Sequence, residues 1–216
     1  MGVTRKMLNW YAKLSPARGR TSPPYKHVVQ LGDPILRKVS EPVPTDKIRS
    51  DEVKSVLKNL RYVLHNYDSV GMSAPQIGVN LRIFAIAQSA MQIATYPIEI
   101  SKGQGMTVVP YTVFINPTMK VVDYNKNCYY EGCESIRGYA AEVPRYRKVE
   151  ISGLNEQGEP IREEFKDWSA RIVQHEMDHL DGKLYTDIMD RKSFLCTCWE
   201  EVNLSQGHVV IPFRPE

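Results

Sequence analysis

Acidic residues are missing from the first 32 positions of the chain, and this gap governs how its charge must be read. Those positions carry Arg5, Lys6, Lys13, Arg18, Arg20 and Lys26, and the first carboxylate is Asp33. Setting these six aside leaves 22 of 28 basic residues against 25 acidic ones. The part from residue 33 onward thus has a formal charge of −3, although the whole chain is +3. A basic surface continuing into the folded part is absent, so no DNA partner is expected. Long apolar runs are absent too. LRIFAIA at 81–87 is among the longest, far short of the ~20 residues of a spanning helix, and no membrane insertion is expected. Cysteine is scarce. Cys128, Cys133, Cys196 and Cys198 form no C-x-x-C pair and lack the density of a secreted disulfide scaffold, which favours free thiols in a reducing compartment. There is no repeat and no low-complexity tract. With 216 residues, 42% hydrophobic and 25% charged, the composition fits one globular domain with at most a tail.

That tail is the basic leader, residues 1–30. It contains serine and arginine but no acid, and Met7, Leu8, Trp10, Tyr11 and Leu14 would share one face of a helix. These are features of an organelle transit peptide; a flexible basic tail is the alternative. Residues 31–216 are expected to form a single folded domain.

Within it, Ser50 precedes Asp51 and Glu52, and Val53, Val56, Leu57, Leu60 and Leu64 recur at helical spacing, predicting a helix to about Asn66. DSVGMSAPQIGVN reads as an irregular loop. From 81 to about 165 the pattern is that of strands: LRIFAIA, TVFINP, MKVVDYN, CYYEGCESI and the hairpin RKVEISGL–NEQG–EPIREEF. The insert 88–110 has little pattern and reads as a long loop. A second helix runs from Asp167–Ser169 to a stop at Gly182, and DRKSFLCTCWEEVNL suggests a C-terminal helix with Cys196 and Cys198 as core residues. The fold class is α+β, with antiparallel and mixed β-sheets packed around a central metal-binding α-helix and flanked by an N-terminal and a C-terminal helix.

The second helix carries the chemistry. In QHEMDH, His175 and His179 stand four residues apart, one turn along one helix face, where two imidazoles can bind one ion. Glu176 lies beside them as a candidate base for an attacking water. Apolar neighbours surround the trio, and unpaired polar groups are costly to bury there. The third ligand is open. The metzincin pattern fails, because Tyr185 stands where its third histidine belongs. A gluzincin-like metallopeptidase would recruit Glu200 or Glu201. The other candidate is Cys133 in YYEGCESI, whose thiolate suits Fe(II) or Zn(II). Gly132 beside it, inside a strand, suggests close approach of a backbone or ligand. Cys128, five residues earlier, falls on the opposite strand face.

Three motifs in order, GMSAPQIG at 71–78, EGCES at 131–135 and QHEMDH at 174–179, resemble those of peptide deformylases. LGDPILRKVSEPV, FINP and VPRYRKVEISGLNEQG also match, so the likeness covers about residues 31–190. The resemblance implies one divalent metal, Fe(II) or Zn(II), with Co(II) or Ni(II) as substitutes, held by Cys133, His175 and His179. It implies that Glu176 moves the proton, and that the Gln76 amide and the backbone N–H of Glu134 stabilise the oxyanion. Gly71 would let the substrate backbone approach. Gly132, Ile136 and Ile172, with Tyr139 or Trp168, would contact substrate or line the methionine pocket. The implied partners are N-formyl-methionyl peptides or nascent chains, with transient proximity to the ribosome; formate is released. Glu131 and Arg145 would form a supporting ion pair. Oligomeric state is not implied.

Two departures stand out. Glu134 replaces the usual leucine, adding negative charge near the metal and predicting slower turnover. Ser69 and Ser73 replace small residues of the first motif. S-A-P-Q and C-E-S resemble the mitochondrial animal branch, which places the protein in the mitochondrial matrix, with the cytoplasm as the alternative.

Overall fold

Ser50, in extended backbone, accepts a hydrogen bond from Val53 N and starts helix α1 (Asp51–Asn66), as its position before two acidic residues predicts. The computed structural model describes residues 22–215; most of the leader lies outside the described residues. After α1 come β1 (Gly71–Ser73), β2 (Ile83–Gln88), α2 (Ala90–Ala94), α3 (Ile98–Gly103), β3 (Val109–Gly132), β4 (Tyr139–Leu154), β5 (Pro160–Lys166), α4 (Asp167–Leu180), β6 (Leu195–Cys196) and α5 (Trp199–Leu204). The strands form one sheet in the order β1-β2-β3-β4-β5, with β6 added to β4, and every strand pair is antiparallel. The parallel part of the expected mixed sheets reduces, among the described residues, to one bridge between Glu41 and Leu81.

Side-chain alternation explains how this sheet is covered. Along β2, Ile83 and Ala85 face α1, packing with Val53, Leu57, Leu60 and Met72, whereas Phe84 and Ile86 face α4 and join Val173, Met177 and Leu180. On β3, Val113 and Ile115 repeat the first direction and Phe114 the second. Within LRIFAIA the strand residues 83–87, IFAIA, are all apolar because both faces of the strand are buried. The helix carrying His175 is therefore packed on one face of the sheet while α1 covers the other.

Several elements differ from expectation. The three short strands predicted between 112 and 132 are one 24-residue strand, β3. Register irregularities at Ile115/Thr118, Val121/Asp123 and Asp123/Lys126 let it continue where a regular strand would end. The insert 88–110 is not a structureless loop: Ser89 caps α2 with Gln92, and Pro97 precedes α3. The C-terminal helix is only Trp199–Leu204, because a 3-10 turn (Arg191–Ser193) and the pairing of β6 with β4 take the place of its first half. Cys196 and Cys198 are half-buried rather than core residues, their sulfurs 3.5 Å apart. Residues 25–30, grouped by composition with the leader, pack onto the body. Tyr25 N and Val29 N donate to the carbonyls of Ile77 and Gln76, both at 2.9 Å, and Val28 and Val29 are buried.

Leu60 is fully buried between α1 and the sheet. Leu60→Ala is expected to lower unfolding free energy by about 2 to 5 kcal/mol in chemical denaturation, while Ala at exposed Lys58 changes it by less than about 0.5 kcal/mol.

Candidate metal centre and substrate cavity

Helix α4 is docked by its own motif glutamine. Gln174 Nε2 donates to Tyr146 O at 2.8 Å and its Oε1 accepts from Tyr146 N at 3.0 Å, so the side chain pairs with β4 as another strand would. At the far end Gly182, with φ +71°, closes the helix against residue 37; a Cβ there would lie 2.8 Å from the Arg37 carbonyl oxygen. This fixes where the histidines point. Ligand atoms of Cys133, His175 and His179 all lie within 4.8 Å of one another, and Cys133 Sγ is 3.3 Å from His179 Nε2. Cys128 is exposed and is not part of this cluster.

Glu131 anchors the cluster. Its carboxylate accepts from Arg145 Nε and Nη2 at 2.9 and 3.0 Å, from Arg171 Nη1 at 2.6 Å, and from His175 Nδ1 at 3.0 Å. Burial alone would raise the Glu131 carboxyl, but His175 and Arg145 outweigh it and hold the group well below the usual carboxylate range. An ionised Glu131 only accepts, so His175 Nδ1 donates to it, which leaves Nε2 as the ring nitrogen available to a metal ion. Asp178 completes the network on Arg145, balancing two guanidinium groups with two carboxylates. Arg171 and Asp178 were missed by motif reading; the signal for Arg171 was a charged residue inside an apolar helical stripe.

Glu176 is 3% exposed, and its Oε2 has no hydrogen-bond partner. Burial, opposed by the charge of His175, pushes its carboxyl up to about 7. Gly71 makes room for it: a Cβ on Gly71 would come within 3.0 Å of Glu176 Cδ and closer still to Oε1. Gln76 is oriented by Ser73. Its Oε1 accepts from Ser73 N at 2.9 Å and Ser73 Oγ at 3.0 Å, which turns Nε2 toward Cys133 Sγ (3.6 Å) and Ser135 Oγ (3.3 Å). Ser73, read from sequence only as a departure, thus sets which end of the amide faces the cluster.

These groups meet at a cavity of about 260 Å³ lined by Gly71, Gln76, Gly132, Cys133, Glu134, Ile172 and Glu176, with Tyr139 and Trp168 at its walls. Ile136 does not line it. It packs with Ala141, Val143, Leu184 and Tyr185, because the turn after Cys133 carries its side chain inward. Arg137, Gly138 and Thr197 do line it. Thr197 is brought there by the pairing of β6 with β4, for which no sequence signal existed. Glu200 and Glu201 lie exposed on α5, outside the only His/Cys/carboxylate cluster found among the described residues. The gluzincin arrangement is therefore not favoured. Tyr185 is buried, stacks at 6.4 Å on His175, and donates to Tyr139 O.

The donor set fits a metal ion. A sulfur and two imidazole nitrogens crowd together in a site where His179 Nδ1 is buried without a partner, an arrangement that a soft or borderline divalent cation stabilises. Replacing Glu131 with Gln removes the charge that two buried arginines face. The variant is expected to lose about 3 to 5 kcal/mol of stability in thermal or urea denaturation.

The comparisons agree with this geometry. A sequence model of the family described as Polypeptide deformylase matches residues 25–194. The human protein named "Peptide deformylase, mitochondrial" is 39% identical over 185 residues, covering 86% of this chain and 76% of its own length. A crystal structure of a peptide deformylase from Synechococcus elongatus in complex with actinonin superposes with TM-score 0.65 at 27% identity, over 94% of this chain and 97% of that one. A Met-Ala-Ser-bound peptide deformylase from Acinetobacter baumannii gives TM-score 0.65 at 26% identity, over 74% and 97%. The chain belongs to the polypeptide deformylase family and is a hydrolase.

Proposed function

We infer that the protein removes the formyl group from N-formyl-methionyl peptides, releasing formate and a free amino terminus. The observation that carries this is the convergence of the Cys133, His175 and His179 ligand atoms within 4.8 Å beside buried Glu176. Cys133, His175 and His179 would hold one divalent ion, Fe(II) or Zn(II), with Co(II) or Ni(II) as substitutes. When bound, the ion supplies Lewis acidity, polarising the formyl carbonyl and acidifying water.

The chain's own groups do the rest. Glu176, raised toward neutrality by burial, takes the proton of the attacking water and returns it to the departing amine. Gln76 Nε2, held by Ser73, donates to the oxyanion together with the backbone N–H of Glu134. Glu131 keeps His175 in one tautomer and orientation. Gly71 and Gly132 admit the peptide backbone, and Ile172 contributes to the methionine pocket. A formyl carbon bears only hydrogen, so a cavity this size accepts it more readily than larger acyl groups.

Two features support a place in the mitochondrial matrix, acting on nascent chains close to the ribosome: the acid-free basic leader and a mitochondrial relative. The cytoplasm is the alternative. Residues 31–216 would act as one catalytic domain with the packed segment from Tyr25.

The decisive measurement is metal content together with formate release. Cys133→Ala is expected to lose both. Glu176→Gln is expected to keep one metal per chain while formate release falls by about 10²- to 10⁴-fold. Full activity in Cys133→Ala, or cleavage of internal peptide bonds without formate release, would overturn the assignment. Glu134→Leu is expected to raise kcat/KM by removing a negative charge from the cavity, and unchanged kinetics would count against that role.

A further inference from the structure

Arg137 follows Cys133 by four residues, in extended backbone (φ −64°, ψ 137°), and lines the cavity beside Gly138 and Tyr139. Its hydrogen bonding is incomplete. Nε lies 3.7 Å from Glu134 Oε2, close enough for charge attraction but too far for a hydrogen bond. Nη1 is buried with no partner, and so is Glu134 Oε2. Among the described residues no other arginine nitrogen is in this state; Arg145 and Arg171, in the ion network around Glu131, have several partners each.

The side chain is nevertheless held in place. Its Cζ stands 5.7 Å from the Tyr67 ring centroid, and Tyr67 is itself fixed, accepting from Val28 N at 3.2 Å and donating to Phe213 O at 3.0 Å. An aromatic face positions a guanidinium without consuming its N–H donors. A buried donor left unpaired costs free energy until a ligand supplies the acceptor. The neighbouring Glu134 charge would repel the oxygens of an incoming peptide, and Arg137 both offsets that charge and retains a free donor.

We propose that Arg137 is a specificity-determining residue, donating to an oxygen of the bound peptide downstream of the methionine, either a main-chain carbonyl or a carboxylate. The inference rests on the deformylase reading of the site. An extended substrate whose formyl group reaches the Cys133–His175–His179 cluster would present its later residues to the cavity wall that Arg137, Gly138 and Tyr139 form.

The test compares wild type and Arg137→Gln, as metal-loaded protein, on formyl-Met-Ala-Ser, its C-terminal amide, and formyl-Met-amide. Metal content and melting temperature are measured alongside. The variant is expected to lose about tenfold in kcat/KM on the tripeptides, mainly through KM, and nothing on formyl-Met-amide, which lacks the downstream oxygen. Equal loss on acid and amide identifies the carbonyl; loss confined to the free acid identifies the carboxylate. The same comparison in a Glu134→Leu background separates direct contact from charge neutralisation, since a direct contact keeps its effect there. No loss on the tripeptides, equal loss on formyl-Met-amide, or a loss that disappears with Glu134→Leu overturns the proposal. If wild type releases no formate from any of the three, the deformylase reading itself fails, and the inference with it.

Discussion

The Glu131 carboxylate is the point at which strand, helix and metal ligands are tied together. It stands near the end of β3, two residues before Cys133, and receives Arg145 from β4 and both Arg171 and His175 from α4. Burying such charges carries a desolvation cost that geometry must offset. Here each guanidinium finds a carboxylate or carbonyl, so a shift of β3 against α4 would leave buried charges unpaired. The alignment so held sets Cys133 Sγ beside the two imidazoles. The network therefore acts on the site through position, holding a sulfur from one element in register with nitrogens from another.

The remaining architecture supports that register. The β2 and β3 side chains alternate between α1 and α4, so the sheet is anchored on both faces and cannot slip without exposing one of two apolar layers. Gln174 adds a direct link from the α4 side chain to the β4 backbone. Ser73 and Gln76 form a capped turn after β1, with its own hydrogen bonds, that faces the cluster from the opposite side. Three separate pieces of chain thus meet rigidly, as electrostatic stabilisation of a developing oxyanion requires.

Glu134 and Arg137 mark where this chain's cavity has its own character. Both lie on the turn that follows the cysteine, both line the cavity, and each has a buried polar atom without a partner. Burial pushes the Glu134 carboxyl up, and Arg137 opposes the shift. Two groups that compensate each other's charge but not each other's hydrogen bonds leave capacity for a third participant. The surrounding ion network, by contrast, is closed.

Local features were legible in the sequence because covalent geometry and helix pitch set them. The Ser50 cap, the α1 stripe, the i,i+4 pairing of His175 and His179, and the Gly182 stop all depend on residues within a turn or two. The ordered motifs extended this by resemblance, placing Cys133 with histidines 42 and 46 residues away. What composition and periodicity missed was decided at long range. The continuity of β3 through its irregularities, the inward turn of Ile136, the packing of Val28 and Val29 on the body, and the arrival of Thr197 through β6 depend on partners dozens of residues distant. The same holds for the unpaired nitrogen of Arg137: a charge is visible in the sequence, but whether it is satisfied depends on which atoms the folded chain brings within 3.5 Å. Sequence alone determined which chemical groups are present and their local spacing; the tertiary structure decided which are buried, paired and left open, because those states arise only when distant segments exclude water together.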